Sequence, residues 1–161
     1  MRRKFMGKME NIKNLLKNII AWSNNNIKTD NNYDLLQNQL YEIIKYTFNL
    51  SFKFDENDYE DYNNDENNDE LMFYINNNFK DFGFYNIVSD VTNKISETKI
   101  TVGDSTDDLL DIIKDFKEVI WRFENNSIND GLWYLDFGFK SHWGKHASDL
   151  LWYLYHLKFG L

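Results

Sequence analysis

The chain has 161 residues, the size of one ordinary domain, with 42% apolar and 17% aromatic content, so it can bury a continuous core and does not read as disordered. It carries 18 basic and 26 acidic residues, a net charge of −8, which repels nucleic-acid phosphates and anionic membranes and either suits a basic partner or simply serves solubility. It has no cysteine, which excludes disulfides, thiolate chemistry and cysteine-ligated metal.

The first periodic segment runs from Met9 to Trp22, with Ile12, Leu15, Leu16, Ile19 and Ile20 at helical spacing. The basic start before it, with Arg2, Arg3, Lys4 and Lys8, leads into no apolar signal core, and no apolar run reaches the roughly 18 residues of a membrane span. The expected location is therefore the cytoplasm. Capping residues from Asp30 to Asn32 open a second helix whose stripe is Leu35, Leu36, Leu40, Ile43, Ile44 and Phe48.

From Lys53 to Glu70 the periodicity stops. Nine acids stand there against one base, and the stretch reads as a solvated, partly mobile acidic loop inserted between helices. A third helix is expected from Asp69 to about Asp81, with Leu71, Met72, Ile75 and Phe79 inward and Gly83 as its stop. Phe84 to Val102 is read as a loop with a short helical turn. Lys99 to Val102 has some strand character but no evident partner.

The best-defined helix runs from Ser105 to Phe123, on Leu109, Ile112, Ile113, Phe116, Val119, Ile120 and Phe123. A fifth begins near Ser127 or Asn129. The last spans His142 to Leu157, burying Trp143, Ala147, Leu150, Leu151, Leu154 and Leu157. The expected fold is all-α, a single domain over residues 1–161 built as an antiparallel bundle of five to six helices, with the acidic loop at 53–70.

Four constellations bear on chemistry. Asp107, Asp108 and Asp111 form a DDxxD pattern, in which residues three and four apart share a helix face. Isoprenoid synthases hold magnesium with this spacing, but they also need a larger fold and a second acidic motif. Acids in the first turn of a helix are explained more simply by its positive end. His142 and His146 stand four apart, the spacing of two metal ligands on one helical face, but Trp143 occupies the place where zinc proteases carry their glutamate. His156 lies about 15 Å along the helix from His146, so a further ligand would have to come from Asp108, Asp111 or Asp115. The plain alternative is a buried network pairing His with Asp. The acidic loop contains no Gly and so cannot be an EF-hand, which leaves a solvated linker or a docking surface. The aromatic set Trp121, Trp133, Trp143, Trp152, Tyr134, Tyr153 and Tyr155 is mostly core, with Trp152 and Tyr155 the candidates for exposure.

The stretches Gly103-Asp104-Ser105-Thr106-Asp107-Asp108-Leu109-Leu110-Asp111 and Phe137-Gly138-Phe139-Lys140-Ser141-His142-Trp143-Gly144-Lys145-His146-Ala147 carry an aspartate-rich helix start followed by an HWGxH motif. Over roughly residues 80–158 this pattern resembles the bacterial domain of unknown function 5063 family. The acidic loop looks like an insertion. The resemblance implies a helical fold and no activity.

The function expected is a non-catalytic protein-binding module, most concretely an immunity protein that neutralises a toxin. Its partner is expected to be another protein with a basic surface, met through Asp58, Glu60, Asp61, Asp65, Glu66, Trp152 and Tyr155. The alternative is a metal-dependent helical-bundle hydrolase with Asp108, Asp111, His142 and His146 as ligands. No cofactor is expected, and the chain is read as a monomer or small oligomer.

Overall fold

A computed structural model describes residues 2–63, 65–93 and 95–160, with side chains described from Gly7 onward. Among these residues the regular structure is six α-helices, a 3-10 turn at Ala21–Ser23 and one two-stranded sheet: α1 (Arg2–Ile20), α2 (Asn32–Phe48), α3 (Asn68–Asn78), β1 (Phe84–Val88), β2 (Ile100–Asp104), α4 (Ser105–Asn125), α5 (Ile128–Ser141) and α6 (Trp143–Phe159). The fold is mainly helical rather than all-α. No helix among the described residues is long and apolar enough to cross a membrane.

Helix α4 is central and touches α1, α3, α5, α6 and β2. Its stripe Leu109, Ile112, Ile113, Phe116, Val119 and Phe123 is buried, as the 3.6-residue period requires. Asp104 caps it, accepting from the Thr106 N–H at 2.9 Å, and Asp107 and Asp108 follow in the first turn, where negative charge is favoured. Ser127 caps α5 through the Asp130 N–H at 3.0 Å, and Asn67 caps α3 through the Asp69 N–H at 3.0 Å. Buried Asn78 holds the turn after α1, donating to the carbonyls of Trp22 and Asn25 and accepting from the Ile27 N–H. Three side chains expected inward, Leu35, Phe48 and Leu157, are exposed. Each lies at the margin of an amphipathic face, where a hydrophobic residue need not be covered.

The largest departure from expectation is the β1–β2 hairpin, in the stretch read as a loop. The strands pair antiparallel, Phe84 with Asp104 through Val88 with Ile100. Their connection is ten residues or more, so no tight-turn signature announces it. The pairing continues into α4: the Ser105 N–H donates to the Gly83 carbonyl and the Ser105 hydroxyl bonds both backbone groups of Gly83. One face of the hairpin, Tyr85 and Ile87, lies half-buried. A Cβ at Gly103 would stand 2.5 Å from Ile87 and 2.9 Å from Tyr85, so only glycine lets these side chains lie across the partner strand.

Among its described residues the acidic segment has no helix or strand before α3, as expected, but it is a strap and not a free loop. Phe54 meets Trp133 and Tyr62 meets Trp121, with ring centroids 6.2 and 5.7 Å apart. Asp55 accepts from the hydroxyls of Ser127 and Tyr59, and Glu66 pairs with Lys117. Apolar and aromatic residues face α4 and α5 while most of the acids face water.

Candidate functional site

The HWGxH motif forms the corner between α5 and α6. His142 ends one helix and begins the next, so it is not on a regular helical face with His146. Trp143 is fully buried, its indole donating to the Leu135 carbonyl at 3.0 Å and its ring lying edge-on to Phe116. Gly144 brings α6 so close to α5 that a Cβ there would lie 2.0 Å from the Phe139 carbonyl oxygen. With the corner pinned in this way, the His142 and His146 rings are held 4.9 Å apart on the surface above α4.

Helix α4 supplies the carboxylates. His146 Nδ1 is 2.7 Å from Asp108, and its Nε2 is 3.8 Å from Asp111. His142 Nδ1 is 2.9 Å from Asp115. Asp108, only 6% exposed, uses its second oxygen to accept from the Tyr85 hydroxyl. The Asp108 hydrogen bond raises the His146 pKa against the effect of burial. Burial and the same carboxylate push the Tyr85 hydroxyl far above its ordinary range, so it is a donor at any physiological pH. Burial raises the Asp115 carboxyl, opposed by His142, and raises Asp107, with the charge of Asp111 adding to it.

Of the four residues expected to share a metal, Asp111, His142 and His146 place one donor atom each within 4.8 Å of one another. Asp108 instead stands behind His146 and carries Tyr85. Tyr85 is the residue sequence reasoning missed. No local pattern marks it, because Phe84-Tyr85-Asn86-Ile87-Val88 does not alternate apolar with polar; the nearest signal is the strand character of Lys99 to Val102, with which this strand pairs.

The acids Asp58, Glu60, Asp61, Asp65 and Glu66 are exposed along the strap over α4 and α5. Trp152 is 59% exposed and stacks on half-buried Tyr155, but it faces the hairpin and not the strap. The single surface expected from these seven residues is thus divided in two. On the Trp152 side a groove of about 460 Å³ runs under the hairpin, lined by Ile87, Val91, Ile95 and Trp152 with Asp90 and Asp149. The outward face of the hairpin beside it is largely apolar: Phe84, Ile100 and Val102 are 76, 68 and 72% exposed, with Asn86 opposite Val102 and Asp104 opposite Phe84.

No curated protein and no solved structure matches the chain. A family described as "Domain of unknown function (DUF5063)" matches residues 35–160, which takes in the acidic strap and reaches well before the stretch that carries the HWGxH and aspartate motifs. The chain belongs to this DUF5063 family.

Proposed function

We propose that this chain is a non-catalytic protein-binding module whose docking face is the outer side of the β1–β2 hairpin together with the groove at Trp152. The observation that carries the reading is the exposed apolar set Phe84, Val88, Ile100 and Val102 on one side of a two-stranded sheet. Val88 and Ile100 are direct cross-strand partners, so these side chains make one patch and are not scattered singly. On the inward side of the same strands Tyr85 bonds Asp108 and Ile87 lines the groove beside Trp152.

Charge selects the partner. Two copies of a chain at −8 repel each other, whereas a basic protein is attracted. The groove beside the patch combines Ile87, Val91 and the Trp152 ring with Asp90 and Asp149, Asp149 being shared with Lys145. Such a groove takes the aliphatic stem of a lysine or arginine along its wall, with the cationic head at the ring face and the acids. The acids of the strap add a long-range field that speeds association and fades with salt. An immunity protein that neutralises a basic toxin is the most concrete form of this reading.

The test begins with capture on wild-type protein and on the Phe84→Asp, Val102→Asp double variant. A basic protein retained by the first and not by the second is then purified and titrated. We expect Val102→Asp to weaken that complex at least about tenfold, a loss of about 1.4 kcal/mol, without lowering the melting temperature. Neutralising Asp58, Glu60, Asp61 and Asp65 together should slow association and leave dissociation nearly unchanged. A partner whose affinity ignores Val102→Asp would overturn the assignment of this face.

A further inference from the structure

We propose that Asp111, His142 and His146 bind one divalent transition-metal ion at the α5–α6 corner. This inference is independent of the docking face and rests on different side chains.

The donor set is the first support. One oxygen and two imidazole nitrogens lie within 4.8 Å of one another. Ligands arranged tetrahedrally on one zinc-like ion at about 2.0–2.2 Å stand about 3.3–3.6 Å apart, so closure requires the donor atoms to draw together by no more than about 1.5 Å. Those shifts are available because His142 is exposed and Asp111 and His146 are only half-buried. A mixed nitrogen and oxygen set favours zinc, cobalt, nickel or iron over magnesium and calcium, which take oxygen.

The groups behind the ligands are the second support. Asp108 holds His146 at Nδ1, which in the neutral ring puts the proton there and leaves the Nε2 lone pair on the side of Asp111. Asp108 is itself buried and fixed by the Tyr85 hydroxyl from β1. Asp115 holds His142 in the same way, at Nδ1. A carboxylate behind each imidazole is how metal-binding histidines are commonly oriented. The corner adds the third support. Buried Trp143 and the tight Gly144 contact fix the two rings close together before any ion arrives, so little ordering remains to be done on binding. The remaining coordination positions face solvent and would be filled by water.

The experiment is a calorimetric zinc titration of the full chain after chelator treatment and dialysis, with cobalt absorption as the spectroscopic counterpart. We expect one ion per chain. His142→Ala, at an exposed position whose loss leaves the core intact, should weaken zinc by at least tenfold, as should Asp111→Asn and His146→Ala. Asp108→Asn should weaken it about 10–100-fold while preserving the form of the cobalt spectrum, because Asp108 is a positioning residue and not a ligand. A variant with Asp58, Glu60 and Asp61 neutralised should keep the one-site isotherm. An absence of zinc binding, or several weak sites that survive His142→Ala and vanish in the strap variant, would overturn the proposal.

Discussion

Gly144 shows how one position can set the geometry of a whole corner. A side chain there would press on the Phe139 carbonyl and ring, both part of a rigid helix end. Gly144→Ala should therefore cost about 1–3 kcal/mol, the usual range for overpacking, read as a lowered denaturation midpoint. It should also separate His142 from His146. The four letters of the motif that carry structure are legible from sequence as a unit but not by role. Spacing placed the two histidines together, which is correct, yet on a regular helical face, which is not, because His142 belongs to the break between helices. Asp108 was legible as a helix-start acid and as a histidine partner. Its bond to Tyr85 was not, since that contact joins residues 23 apart across a strand no local signal defined.

At the scale of elements, caps were readable in part: Asn31, within the capping residues expected before α2, makes no side-chain cap bond. Asp104 and Ser127 stand where short polar residues precede apolar periodicity, and both make the expected bond to a backbone N–H. The hairpin was hidden because each strand is five residues long and half apolar on both sides, so period-two alternation does not separate core from surface. The strap was read by its charge, which describes its outer side. Its docking contacts are Phe52 against the core, Phe54 against Trp133 and Tyr62 against Trp121. Asp55 is the strap's polar anchor, and its pKa is lowered by the Ser127 hydroxyl and then by Tyr59. A carboxyl with a lowered folded-state pKa contributes its stability above the unfolded value and loses it as pH falls through the folded one. The strap should therefore release in acid, below the ordinary carboxylate range, and the Trp133 and Trp121 environments should change with it. Tryptophan fluorescence against pH checks this. Asp55→Asn should show the released signal already at neutral pH, and a strap that stays docked in that variant would mean the aromatic contacts suffice alone.

At the scale of the molecule, a mainly helical body gathered round α4 holds its chemistry-bearing groups at two separate places. The corner cluster joins α4, α6 and β1, and the apolar hairpin face looks outward from the same strands. Tyr85 links them, since its side chain reaches the cluster from the strand whose other face is proposed to meet the partner. The acidic strap lies elsewhere, over α4 and α5, where it can steer a basic protein without touching it. Composition made the acidity readable and apolar periodicity the helices; the division of the surface needed the fold. Hydrogen exchange on the purified complex tests the docking claim most directly. Protection gained across residues 84–104 and at Trp152, with the strap unchanged, is the predicted result, and protection confined to residues 53–70 would contradict it.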